Sequence, residues 1–339
     1  MLHESQKSAI AGPAGEFSKI HYCEPNDTGK ECLYRIANKV NSEPSMPKRR
    51  PVMAIACLAL AGSLWGTGFF FGKIALREMT VAENVAFRLL AGALVLLPIF
   101  VRGGNPYSKK DWGMIVLAAG IGVPVQFLVQ FWGLQLTTVS HASLIVGVLP
   151  VLLSLSAAVF LHERLHAVDW GVLGLSAMGA LLIALSSRSA IHGPQPSVLG
   201  DSLVLLSMFA AVVMVLCSKR LLARYDALHV TSTMIVTGTV MLLVWVESSQ
   251  PVRFHFSWEA WGAVIAQGWL ATAGAYLFWN WGLARIPASR ASVFLNLEPV
   301  VGTLLGVALL HERLGSVAIL GGALIVGAAA YFSLWPHHS

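Results

Sequence analysis

Residues Ser140–Leu165 read SHASLIVGVLPVLLSLSAAVFLHERL, and residues Ser289–Leu314 read SRASVFLNLEPVVGTLLGVALLHERL. A forward shift of 149 positions places the proline and the HERL run of the first stretch on those of the second, without a gap. A proline and a distant HERL run in the same register indicate that the chain is a duplication. Self-similarity of this kind decides the architecture of a repeat protein before any single helix does.

The composition indicates a polytopic membrane protein. Of 339 residues, 56% are hydrophobic and 12% are charged, and the mean hydropathy is +0.68. An average soluble domain has about a quarter of its residues charged. The net charge of +6 is therefore read as loop charge that sets membrane topology, and not as a nucleic-acid surface. The four cysteines have neither metal-ligand spacing nor a disulfide pattern.

Residues 1–50 differ from everything that follows, because they are rich in charge and contain no long apolar run. We expect them to form a disordered cytoplasmic tail. Met46 opens the sequence MPKRRP directly before the first apolar run. The first 45 residues are therefore either part of the mature protein or an upstream extension.

The rest of the chain predicts an all-α membrane protein, since apolar runs of about 20 residues suit transmembrane helices. Two halves are expected, at 52–187 and 200–335. Ten predicted spans lie at about 52–72, 81–101, 112–134, 139–161, 168–187, 200–222, 228–247, 259–283, 288–310 and 314–335. Five spans per half is an odd number, so the second half is predicted to be inverted in the membrane, as in many secondary transporters.

The distribution of Lys and Arg near the span ends indicates that the N-terminus and the C-terminus both lie in the cytoplasm. The cluster Lys48-Arg49-Arg50 before the first span is the clearest part of this signal. We therefore expect an integral, multi-pass membrane protein with both termini in the cytoplasm.

The chain resembles the EamA family of the drug/metabolite transporter superfamily. The resemblance rests on the proline and terminal glutamate of the fourth span of each half, on Trp65-Gly66, on Phe87-Arg88 and on the repeated Trp-Gly-Leu at 132–134 and 281–283. It covers about residues 52–335. It implies a carrier of the bacterial inner membrane, usually an exporter, for amino acids, other metabolites or drugs, often driven by protons. No cofactor or resident metal is implied.

A stripe of small and polar residues follows one face of each repeated stretch. In an ideal helix of 3.6 residues per turn, the stripe places these residues on one side: Ser140, Ser143, Gly147, Pro150 and Ser154 in the first copy, and Ser289, Ser292, Asn296, Pro299 and Thr303 in the second. Such a face is suited to line a solute pathway. The alternative is helix–helix packing, for which membrane proteins use the same residue types.

Further polar groups lie at predicted membrane depth. Gln126, Gln130 and Asn280 are candidate pathway residues. Arg88 lies in the middle of a span, where a charge facing lipid costs several kcal/mol, so we expect it to point inward, to a substrate anion or a structural partner. The aromatic residues Trp65 and Tyr276 are candidates for stacking on the solute, although membrane aromatics also serve as packing groups.

Glu298 directly precedes a proline near the middle of the ninth span. A carboxyl in a low-dielectric bundle resists ionisation, which makes Glu298 the candidate for proton coupling. A paired structural carboxyl is the alternative.

Two other functions compete with transport by a carrier. His162, Glu163 and His166 satisfy the H-E-x-x-H pattern of zinc proteases. The second copy has glycine in place of the last histidine, so we interpret Glu163 and Glu312 as charged helix ends. A membrane channel or scaffold is the other alternative. The solute, the direction of transport, the driving ion and the oligomeric state are left open by the sequence.

Overall fold

The computed structural model describes residues 49–136, 145–163, 166–186, 197–249, 251–310 and 316–334. In these ranges every regular element is a helix. From Pro51 onward the helices pack as one compact unit. The prediction of an all-α protein is confirmed for the described part of the chain.

The described part of the first half contains the helices α1 (Arg49–Ala75), α2 (Val81–Gly103), α3 (Lys109–Gly120), α4 (Gln126–Leu136), α5 (Leu149–Phe160) and α6 (Ala167–Ser186). A π-helical segment at Ile121–Val125 joins α3 to α4. The described part of the second half contains α7 (Val198–Leu222), α8 (Ala227–Ser249), α9 (Trp258–Ala266), α10 (Ala275–Leu283), α11 (Ala288–Ala291), α12 (Leu297–Leu310) and α13 (Ser316–Leu334). A π-helical segment, Gln267–Gly274, joins α9 to α10.

Within the described ranges, five helical stretches are long and apolar enough to cross a membrane: Val52–Gly72, Val81–Gly103, Lys109–Leu136, Val198–Leu222 and Ala227–Ser249. Two shorter apolar helices lie at Leu149–Phe160 and Ile319–Tyr331. The length and composition of the five long stretches agree with the prediction of an integral membrane protein.

Helix starts repeat at the 149-residue offset. Ser108 accepts a hydrogen bond from the amide of Asp111 at the start of α3, and Ser257 does the same for Ala260 at the start of α9. A serine at this position satisfies an amide that has no partner within the helix. The two π-helical segments overlap at the same offset, so the third helix of each half has the same local irregularity.

The predicted ninth span is not one continuous α-helix. The chain forms α11, then a 3-10 segment at Ser292–Asn296, and then α12. Pro299 lies in the first turn of α12, where its missing N–H costs nothing, and its ring disfavours a continuous helix through the preceding turn. The ideal-helix projection of the polar stripe was therefore wrong for this segment, because a 3-10 helix has three residues per turn.

Close backbone approaches connect the two halves. A Cβ atom on Gly133 of α4 would lie 2.9 Å from the carbonyl oxygen of Gly200 in α7. At the equivalent position in the second half, a Cβ atom on Gly282 of α10 would lie 3.0 Å from the carbonyl oxygen of Ala54 in α1. The last helix of the third span in each half thus packs against the first helix of the other half, and glycine allows the close contact.

Candidate functional site

A cavity of about 70 Å³ lies among the helices of both halves. Much of its wall consists of residue pairs that the 149-residue offset relates: Trp65 with Met214, Phe127 with Tyr276, Gln130 with Trp279, Val146 with Leu295, and Leu149 with Glu298. A cavity lined by equivalent positions of two copies lies where the copies meet. We call it the central cavity.

Three aromatic side chains form one wall of the central cavity. The ring of Trp65 lies 5.3 Å from that of Tyr276, nearly perpendicular to it, and 5.4 Å from that of Trp279. These are favourable distances for edge-to-face packing. The wall is therefore rigid, apolar over most of its surface, and suited to an aliphatic or aromatic group.

Two buried polar atoms on the cavity wall have no hydrogen-bond partner within the described residues. They are Oε1 of Gln126 and Nε1 of Trp279, whose residues are 8% and 1% exposed. Buried polar groups are almost always hydrogen-bonded, so each such atom requires a water or a ligand. The neighbouring Asn280 is already engaged, since its Nδ2 donates to Oγ1 of Thr231 at 2.9 Å.

A second cavity of about 30 Å³ adjoins the first. The two cavities share Trp65, Phe127, Gln130 and Glu298 in their walls, and Arg88 lines the smaller one. The Glu298 side chain therefore lies between the two spaces, where it can meet a ligand or water from either one. We call the smaller space the Arg88 cavity.

Arg88 lies inside the bundle and is only 3% exposed. Its Nη2 and Nε donate to Oγ1 of Thr272 at 3.1 and 3.3 Å, and its guanidinium lies 4.2 Å from the ring centre of Phe127. Within the described residues no carboxylate lies within 4.0 Å of this guanidinium. A hydroxyl and an aromatic ring compensate a buried charge only in part, so Arg88 is suited to hold water or an anionic group.

The polar stripe occupies a different place from the two cavities. Oγ of Ser154 lies 3.0 Å from Oγ of Ser292 and donates to the carbonyl of Ser289 at 3.2 Å. Nδ2 of Asn296 donates to Oγ of Ser176 at 2.8 Å. These bonds join α5 and α6 to the ninth span, which is the helix–helix packing that the sequence left as the alternative.

The remaining stripe residues add little to either cavity. Gly147 and Pro150 are buried but are not in the walls of the two cavities. Pro299 is half-buried in the first turn of α12, directly after Glu298. Ser140 and Ser143 lie outside the described residues, as does the side chain of Thr303.

Glu163 is occupied by the second half of the chain. Its carboxylate accepts hydrogen bonds from the amides of Ala288 and Ser289 and from Oγ of Ser289. A zinc protease needs this glutamate free to activate water, so the contacts argue against the H-E-x-x-H interpretation. Glu312 lies outside the described residues.

One wall of the central cavity was missed by the sequence analysis. It is formed by α7, through Met208, Ala211, Met214, Val215 and Ser218. Methionine and valine give no signal of function in an apolar helix. The repeat could have indicated Met214 and Phe127 as cavity residues, because the offset carries Trp65 onto Met214 and relates Phe127 to Tyr276.

Comparison with known proteins gives two consistent matches along the chain. The profile described as the EamA-like transporter family matches residues 52–185 and again residues 198–334. An uncharacterised transporter of Archaeoglobus fulgidus is 28% identical over 271 residues, which is 79% of this chain and 94% of the relative. A probable terminal-alkyne amino-acid exporter of Streptantibioticus cattleyicolor is 29% identical over 257 residues, covering 76% of this chain and 82% of the relative.

The fold also has a solved counterpart. A crystal structure with 22% sequence identity matches with a TM-score of 0.70 and covers 83% of this chain and 96% of its own. At this sequence identity the match supports the fold, and it carries no information about function.

Proposed function

Since the chain belongs to the EamA-like transporter family, we propose that it is a secondary transporter that exports a small solute by alternating access. The observation that carries this proposal is the central cavity, whose walls come from equivalent positions of both repeats. Transporters built from two related halves place the substrate site at the interface of the repeats. The volume, the aromatic wall and the unpaired polar atoms fit a small solute with an apolar body and a polar end.

Ten membrane crossings in two inverted repeats are part of the proposal. The packing supports it, because the contact of α4 with α7 has its counterpart in the contact of α10 with α1. Reciprocal contacts of this kind are what a two-fold relation between halves produces. With five crossings per half, this axis lies in the membrane plane. The inner membrane, with both termini cytoplasmic, is the proposed location.

The chemistry of the cavity favours a solute that carries charge. Glu298 supplies a carboxyl and Arg88 supplies a cation to the wall of the same small space. Amino acids, related metabolites and drug-like molecules satisfy this requirement. The relative named as a probable terminal-alkyne amino-acid exporter makes amino acids the first class to screen.

Glu298 is the proposed site of proton coupling. Its carboxyl borders both cavities, and Arg88 lines the smaller one together with it. A carboxyl in such a place can exchange its charge for a proton when the solute arrives or leaves. The solute and the proton would then compete for one group, which links their movements.

Purified protein in proteoliposomes tests the proposal. Vesicles loaded with unlabelled candidate solutes, amino acids first, are diluted into a trace of the labelled solute. A carrier produces a transient accumulation of label above equilibrium that saturates with concentration. Uptake that stops at equilibrium and does not saturate would identify a channel instead. Failure of all solutes in a broad screen, with the protein correctly inserted, would contradict a transport function.

A further inference from the structure

The carboxylate of Glu163, directly after α5 in the first half, is bonded to the start of α11 in the second half. The amide of Ala288 donates to Oε1 at 2.8 Å, the amide of Ser289 donates to Oε2 at 2.9 Å, and Oγ of Ser289 donates to Oε2 at 2.7 Å. A carboxylate that receives three donors forms strong, charge-assisted bonds. The contact is specific, since it uses both oxygens of one side chain.

This contact lies at one end of the bundle. The same end contains the bond from Arg224 to Asp111, because the chain crosses the bundle in alternating directions between short turns. The opposite end contains the bond from Arg253 to Glu83 and that from Ser197 to the carbonyl of Leu136. We call these the Asp111 end and the Glu83 end.

A second bond set closes the same end. Nζ of Lys219, in α7, donates to the carbonyl oxygens of Leu283 at 2.5 Å and Ile286 at 2.6 Å. These carbonyls lie at the end of α10 and in the turn before α11. Two side chains therefore hold this region: Lys219 bonds to the turn before α11, and Glu163 bonds to the first amides of α11.

The tied segment leads directly to the central cavity. Leu295 and Glu298, six and nine residues after Ser289, line the cavity, and Ser218, the neighbour of Lys219, lines it from α7. Ser218 itself is only 1% exposed. The bonds at the Asp111 end thus lie between the cavity and the solution.

We propose that Glu163 is a gating residue: its bonds to Ala288 and Ser289 hold the pathway closed at the Asp111 end, and they break when the cavity opens there. The proposal rests on the alternating access proposed above and adds the group that controls one of the two openings. Separation of the segment after α5 from the start of α11 is the movement that would expose the cavity, and it would also break the bond from Oγ of Ser154 to the carbonyl of Ser289. Glu163 acts on access to the cavity and does not touch the solute.

Accessibility of a single cysteine tests this without knowledge of the solute. The four native cysteines are replaced by alanine and Ser218→Cys is introduced as a reporter. Inside-out and right-side-out vesicles are then treated with a membrane-impermeant maleimide. Glu163→Gln should accelerate alkylation from the Asp111 end by about tenfold, because removal of the charge weakens the bonds that keep this end closed. The rate from the Glu83 end should stay the same or fall.

Two further variants separate gating from folding. Ser289→Ala removes one of the three donors and should give a smaller acceleration in the same direction. Glu259→Gln makes the same chemical change at an exposed site near the Glu83 end, where Glu259 lies 3.9 Å from the exposed Arg77. It should leave the alkylation rates unchanged. Equal rates for Glu163→Gln and the reporter protein alone, in samples that elute as monodisperse protein, would overturn the proposal. A failed solute screen would not affect this result.

Discussion

The two charged residues of the cavities have no charged counterpart in the other repeat. At the 149-residue offset, Glu298 corresponds to Leu149 and Arg88 corresponds to Thr237. The apolar frame of the site is thus duplicated while its charges are not. Charge at this depth is costly and persists where function requires it.

The first prediction concerns Glu298. Glu298→Gln keeps the shape and a hydrogen-bonding end but removes the proton that can bind and leave. We expect the variant to lose solute accumulation driven by a pH gradient while it retains solute-for-solute exchange, both measured in proteoliposomes. Glu312→Gln, the same change at the end of the repeated helix, should keep the pH dependence. Normal proton coupling in well-inserted Glu298→Gln protein would contradict the role.

Trp279 permits a second prediction at the same scale. Trp279→Phe preserves most of the aromatic wall but removes the indole N–H that has no partner within the described residues. If the N–H serves the solute, KM should rise by about tenfold, because a lost hydrogen bond in a buried site costs roughly 1–2 kcal/mol. Phe278→Leu, on the half-exposed outer face of α10, provides the control. An unchanged KM would show that Nε1 serves only packing or water.

At the scale of the helix, the contact of α4 with α7 depends on the absence of side chains. A Cβ atom on Gly200 would lie 2.7 Å from the carbonyl carbon of Leu136 and 3.0 Å from the carbonyl oxygen of Gly133. Both neighbours are backbone atoms that cannot turn away. The backbones of α7 and α4 are therefore in direct contact at Gly200.

The third prediction follows from this contact. Gly200→Leu should destabilise the protein by about 1–3 kcal/mol, as overpacking does, and lower the midpoint of thermal unfolding in detergent. Gly174→Leu is the matched control, since nothing within 4 Å would meet its Cβ atom and this glycine is exposed in α6. Equal melting temperatures for the two variants would show that α4 and α7 can separate without cost.

Helices also show how far a sequence can predict a structure of this kind. Hydropathy predicts the positions of α1, α2 and α7 to within a few residues, because lipid requires a minimum apolar length. The break at Ser292–Asn296 is beyond this argument. Hydropathy reports neither the effect of Pro299 on the preceding turn nor the hydrogen bonds that this segment makes to Ser154 and Ser176 of other helices. For the same reason the polar stripe was ambiguous: a serine that lines a pathway and a serine that joins two helices look alike until the partner is known.

The whole molecule is the scale at which the repeat was decisive. The duplication inferred from one offset is confirmed by two matches to a single family. The same offset also leads to the central cavity, although the sequence analysis used it only for the fourth and ninth spans. What it could not reveal is which member of each pair carries the chemistry, because the copies have diverged at those positions.

The fourth prediction concerns residues 2–45, which lie outside the described residues. Their deletion should leave membrane insertion and transport unchanged, because the segment has no apolar run that could pack among the helices. Membrane levels and the rate of solute exchange of the truncated protein measure this. Loss of exchange at a normal membrane level would show that the segment takes part in function.

The cavities combine a duplicated apolar frame with one glutamate and one arginine that are not duplicated. This asymmetry has a consequence for the direction of transport. With identical halves, a two-fold rotation would convert the inward-open form into the outward-open form. The two forms would then have equal free energy, and the protein would favour neither side of the membrane. If the carrier alternates as proposed, Glu298 and Arg88 would meet different surroundings in the two forms. Two charges that have no charged counterpart in the other repeat would therefore give the carrier a preferred resting side.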